Sequence, residues 1–156
     1  MEADLQQIAD KLTDDLLTST FLTEETGKAT VMMSLMANDT DEHIDMRNLS
    51  DKIRTLLFKS GRMRFINAPL RPAVKEEVEY EATDWVDQRT AARKGKQVGA
   101  QYLISGTLAA IKQPVGRQEI VYYKMTMEMT DLSTNLIVWT DDLEIKKRFR
   151  KRFTGS

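Results

Sequence analysis

A chain of 156 residues with 41% hydrophobic and 30% charged side chains carries enough apolar material for one domain core and falls outside the composition of disordered segments. Its formal net charge of −1 hides a division, because Lys146, Lys147, Arg148, Arg150, Lys151 and Arg152 crowd the C-terminal end and leave the rest acidic, unlike the folded basic face of a nucleic-acid binder. The lack of cysteine excludes disulfides, thiolate metal sites and thiol nucleophiles, and no apolar run approaches the roughly 18 residues of a membrane span.

Leu5, Ile8, Leu12 and Leu16 recur at helical spacing, and Asp4 with Gln7 resembles a capping box, so an amphipathic helix is predicted to about Thr20. Residues 23–28 are polar and hold Gly27, which predicts a loop into 29–36, a nearly continuous apolar run read as a central strand. After a polar loop at 38–43, Asp45 is placed to cap a second helix with the stripe Met46, Leu49, Ile53, Leu56 and Leu57, ended by Gly61. Residues 63–67 predict a strand parallel to the first, since the intervening helix is long enough for a crossover.

Pro69 and Pro72 interrupt the chain, and helices are predicted over 73–81 and 88–98 with Trp85 in the linker between them. Tyr102 to Ile111 reads as a strand in which Gly106 marks a bulge or close packing, followed by a turn at Pro114, Val115 and Gly116. From Ile120 the alternation is regular: Val121, Tyr123, Met125, Met127 and Met129 share one face, and Tyr122, Lys124, Thr126, Glu128 and Thr130 the other. Residues 131–135 turn the chain into a last strand beginning at Leu136. The expected fold class is α/β, a mixed sheet of four to five strands flanked by helices and ending in an antiparallel meander. One domain over 1–153 is expected, with 146–153 a solvated basic tail and 154–156 an appended remnant.

Catalytic chemistry finds little support. The only histidine, His43, lies in a loop with Asp41, Glu42 and Asp45, too few nitrogen or sulfur ligands for zinc and without the glycine of a calcium loop. The serines lack nucleophile-elbow glycines, and neither phosphate-binding glycine fingerprint is present, so no cofactor is expected. Met125, Met127 and Met129 read as core filler before copper ligands. Asp141 and Asp142 adjoin, so on a strand they point to opposite faces and cannot share one site. The basic run, interrupted by Phe149 and Phe153, is chemically suited to phosphates or anionic headgroups, a solvated tail being the simpler reading. The acidic start Met1-Glu2-Ala3-Asp4 is unlike a signal peptide.

Three segments together resemble the LpoB family, the outer-membrane lipoprotein activators of bifunctional penicillin-binding proteins. They are the 4–22 helix, the strand–loop–helix of 31–61 followed by Arg62-Met63-Arg64-Phe65, and Val98-Gly99-Ala100-Gln101-Tyr102-Leu103-Ile104-Ser105-Gly106 leading to Asp131-Leu132-Ser133-Thr134-Asn135-Leu136-Ile137-Val138-Trp139. Looser likeness extends to the curli secretion lipoprotein CsgG, which implies as the alternative a structural component of an envelope secretion or assembly complex. The LpoB resemblance implies a non-catalytic protein at the periplasmic face of the outer membrane that docks on the regulatory domain of a class A penicillin-binding protein and raises its glycan-polymerising and crosslinking activity. The family's lipid-bearing cysteine and preceding linker are not found in this sequence, so contact with a membrane is expected only through an anchor that this chain lacks. Asn135 stands where the family's turn commonly has glycine, a position asparagine tolerates. No family binding motif maps residue by residue; the partner-binding candidates are Trp85, Arg117 and Tyr122.

Overall fold

The computed structural model describes residues 2–24, 28–67 and 88–150. Helix α1 (Glu2–Leu17) and the short α2 (Thr20–Glu24) lead into β1 (Ala29–Met33) and β2 (Ala37–Asp39). Then come α3 (Met46–Lys59), β3 (Met63–Phe65), α4 (Gln88–Gln97) and three long strands, β4 (Tyr102–Val115), β5 (Gln118–Asp131) and β6 (Leu136–Arg150). Among the described residues the sheet has six strands in the order β3-β1-β4-β5-β6, with β2 also paired to β4. Its β3–β1–β4 part is parallel, and β4, β5 and β6 form the expected antiparallel meander. The mixed α/β class is as expected, and β2 raises the strand number above the four to five anticipated. Among the described residues, no helix is long and apolar enough to cross a membrane.

Several boundaries depart from the sequence reading for local reasons. The first helix begins at Glu2 and stops at Leu17, so Asp4 lies inside it and is no cap. Ser19 breaks the helix and caps the next, its hydroxyl accepting from the Leu22 N–H at 3.4 Å. The strand expected over 29–36 ends at Met33; the Met36 N–H donates to the buried Ser50 hydroxyl at 2.9 Å, and β2 then takes up Asn38 and Asp39 of the expected loop. Asp45 does cap α3, accepting from the Asn48 N–H at 3.0 Å, and Gly61 follows that helix at φ 75°. The helix expected over 73–81 lies outside the described residues.

Gly106 is a point of close packing, since the β4–β5 register runs unbroken through it. A Cβ there would stand 2.7 Å from both Met36 Sδ and the Thr126 carbonyl oxygen, so only glycine fits without displacement. The turn is one step later than expected: β4 continues through Pro114 and Val115, and Gly116 (φ 62°) with Arg117 connects to β5. Proline is tolerated because β2 stops opposite Ala109, leaving the rest of β4 without a described strand on that side and its missing N–H without consequence. Residues 146–150, expected as the start of a solvated tail, are instead the closing part of β6 and pair with β5 as far as Gln118.

The main core lies on one face of the sheet. Met125, Met127 and Met129 pack there with Leu5, Ile8, Leu12 and Leu16 of α1 and Leu49, Ile53 and Leu57 of α3, which is the filler role expected of flexible thioethers. A smaller cluster of Met32, Ala91, Ala100, Leu103 and Leu132 forms on the other face under α4. Among the described residues, α1 and α3 pack on the first face, and α4 packs on the second where β4 begins.

Candidate protein-binding surface

Strand period places Ile120, Tyr122, Lys124, Thr126 and Glu128 on the second, outer face. The register then supplies their neighbours: Ile111 and Lys146 flank Tyr122, Gln113 and Arg148 flank Ile120, and Val115 and Arg150 flank Gln118. Towards the β4–β5 turn this face is apolar and basic. Ile111 is 70% exposed and Val115 49%, Tyr122 is half-buried, and Lys146 holds its ammonium 5.8 Å from the Tyr122 ring centroid, a cation–π distance that keeps the ring oriented. Farther along β6 the same face turns acidic, with Glu144 beside Lys124 and Asp142 beside Thr126.

The opposite side of the same hairpin carries polar groups that are internally paired. Lys112 Nζ lies 3.0 Å from Asp41, Lys147 Nζ lies 2.6 Å from Asp4, and the buried Tyr123 hydroxyl donates to the Glu42 carboxylate. Burial, then the Glu42 hydrogen bond, pushes the Tyr123 phenol well above its ordinary value, while the Lys112 contact holds the Asp41 carboxyl below its own. The loop between β2 and α3 is further tied by Thr40 N–H to Asn38 Oδ1 at 3.0 Å and by Asn38 Nδ2 to the Glu42 carbonyl at 2.8 Å. These carboxylates anchor a loop and the start of α1 to the hairpin. Among the described residues no group of three or more His, Asp or Glu side chains is placed to hold a metal ion.

One carboxylate pair lies nearer the middle of β6. Asp141 and Asp15 of α1 share a hydrogen bond, which is the main reason the Asp141 carboxyl titrates above the usual range and that of Asp15 below it; partial burial adds to the rise at Asp141. Lys11, 3.2 Å from Asp15, adds to the lowering at Asp15. Asp142 faces the other way, as adjacency on a strand requires.

Of the three partner-binding candidates, Tyr122 lies on the outer face and Arg117 is exposed at the turn that ends it, so the fold brings these two to one end of the molecule. Trp85 lies outside the described residues. The sequence reading missed Ile111, Val115, Lys146, Arg148 and Arg150 as their neighbours. A usable signal was present: Leu143, Ile145 and Phe149 recur at even spacing among the charges, which is strand period, not tail composition.

The profile described as the peptidoglycan-synthase activator LpoB matches residues 4–145. The chain belongs to the LpoB family. Among solved structures, the LpoB C-terminal domains from Salmonella enterica and Escherichia coli each superpose with a TM-score of 0.67 over 92% of this chain and 99% of theirs, at 15% identity. Lipoprotein GNA1162 from Neisseria meningitidis follows with a TM-score of 0.56 at 10% identity, over 81% of this chain and 88% of its own. At these identities the structural likeness is one of fold. No curated relative matches the sequence. The LpoB match closes at Ile145, before β6 does, so Lys146, Arg148 and Arg150 lie outside the matched residues.

Proposed function

We propose that this chain is a non-catalytic activator of a bifunctional peptidoglycan synthase, a class A penicillin-binding protein, which it engages through that enzyme's regulatory domain on the periplasmic side of the outer membrane. The observation that carries this reading is the match to the activator family across residues 4–145. A lipid anchor upstream of the folded part would hold it at that membrane.

An activator without an active site works only through a difference in affinity for its partner's states, so the chain must bind the active form of the synthase more tightly than the resting one. Such work requires an exposed surface able to grip, and Arg117 and Tyr122, with Trp85, are the residues proposed to contribute, since arginine and aromatic side chains dominate binding hot spots. The test is the rate of glycan polymerisation by a purified bifunctional synthase with and without the chain at saturating concentration. A rate that rises with the chain bound supports the reading. An unchanged rate, or no complex at all, removes it.

A further inference from the structure

We propose that the turn-end half of the outer sheet face is the docking site, and that the surface it accepts on the partner protein is acidic around an apolar centre. The inference rests on the activator reading for the partner's identity, but the face itself is argued from its own chemistry. Six side chains define it: Ile111, Val115 and Tyr122 as the apolar floor, and Lys146, Arg148 and Arg150 as a row along one side.

Exposure argues for an occupant. The aliphatic side chains of Ile111 and Val115 lie open on a regular two-strand ladder, where nothing in the local geometry demands an isoleucine or valine. A purely solvated strand face would be expected to alternate to polar residues there, as it does at Thr126 and Glu128.

Charge argues for the kind of occupant. Positions 146, 148 and 150 of β6 point to the same face, so the three positive charges reinforce one another within a few strand steps. The sequence continues the run with Lys151 and Arg152. The remainder of the chain is acidic, which makes this patch the place where an acidic protein would be drawn and oriented. Aromatic and arginine side chains standing beside open aliphatic ones give the mixed composition of a protein interface centre.

A membrane surface fits less well. Asp142, Glu144 and Glu128 lie on the same face a short distance down the strands, and a continuous anionic plane would have to approach them as well. A partner with a bounded acidic patch meets the basic half alone.

Three measurements decide it. First, the isotopically labelled chain is titrated with a synthetic peptide of glutamates flanking leucine and tryptophan, and amide shifts are followed. Changes confined to the turn-end part of β4, β5 and β6 support the face; changes elsewhere, or none, overturn it. Second, binding to a purified bifunctional synthase is compared for the wild type, Lys146→Glu/Arg148→Glu, and Arg54→Glu on the exposed side of α3. The double variant should bind at least about tenfold more weakly, with the α3 variant unaffected. A double variant that folds and binds like the wild type overturns the face and leaves the activator reading standing. A wild type that never binds the synthase overturns the activator reading instead, and the peptide titration then decides the face. Third, sedimentation with vesicles of phosphatidylethanolamine and phosphatidylglycerol should leave the chain in the supernatant; retention that the double variant abolishes would assign the patch to lipid and overturn the protein assignment.

Discussion

Successive residues of β5 meet opposite surroundings. Val121, Tyr123, Met125, Met127 and Met129 are buried under α1 and α3, while Tyr122, Lys124, Thr126 and Glu128 look out from the other face with no helix of the described residues above them until α4 covers the strand start of β4. On the inner side charge is spent on internal pairing, as at Tyr123 with Glu42 and Lys112 with Asp41. On the outer side Lys146, Arg148 and Arg150 stand in one row beside open aliphatic residues. One strand pattern thus has two surroundings: its inward period holds the domain together, and its outward period presents the face proposed above for docking.

Substitutions in β5 and its neighbours put numbers on that division. Met127→Ala removes a fully buried thioether from the middle of the inner face and should cost about 3 kcal/mol, read as a lower denaturation midpoint at unchanged slope. A loss below about 1 kcal/mol would mean that the inner face is loosely packed and would weaken the contrast. Tyr123→Phe keeps the ring and deletes the hydroxyl that Glu42 accepts from, with an expected cost of about 1.5 kcal/mol. This phenol has a second signature. Its folded-state pKa is raised by burial and by Glu42, so the stability it brings is complete below the unfolded value near 10 and is lost as the pH climbs through the folded one. Tyr123→Phe should therefore flatten part of the alkaline decline in melting temperature.

How much of this was readable from sequence depended on the range of the interaction. The inward and outward sets of β5 followed from period alone, and so did the Asp45 cap, because both are decided within a few residues. The join between β1 and β4 was not readable: beside their parallel ladder it is opened by Gln101 N–H to the Thr30 carbonyl at 2.8 Å and by Thr30 N–H to Gln101 Oε1 at 2.9 Å, contacts that no local pattern announces. Residues 146–150 looked like a tail because charge density hides strand period on an edge strand, where charged side chains also discourage unwanted pairing. Pro114 looked like a turn for the ordinary reason that proline is excluded from central strands, a rule that lapses where β4 outruns β2. Tyr122 could be assigned to the outer face from sequence, but its neighbours Ile111 and Lys146 required the register.

The boundary between helix-covered and open surface passes close to Asp141, and there a stabilising change is expected. The carboxyl of Asp141 titrates above the 3.8 of an unperturbed aspartate, chiefly through its hydrogen bond with Asp15 and then through burial. The folded protein therefore keeps a proton that the unfolded chain gives up, so this contribution is whole below pH 3.8 and is lost as the pH rises through the folded value. At neutral pH two carboxylates face each other, one of them also held by Lys11. Asp141→Asn retains a donor for Asp15 and removes the repulsion, and should add about 0.5 kcal/mol at pH 7, a figure kept small by solvent screening. Melting curves at pH 7 and pH 3 should show the gain at the first and not the second; an equal gain at both would point to side-chain packing in place of charge.

The smallest expected effect is the most telling for the outer face. Ile111 is 70% exposed, so its side chain has little to lose when the chain unfolds, and Ile111→Ser should change stability by less than about 0.5 kcal/mol. If isoleucine at this position served the fold, the substitution would lower the melting temperature by several degrees in a domain of this size, and the division between the two faces of β5 would no longer hold. If it serves recognition, the folded protein will not register the change, while its grip on an acidic, apolar-centred partner will weaken. A residue whose removal leaves the melting curve in place and shifts only the binding curve is what an exposed aliphatic side chain beside a row of three positive charges is expected to be.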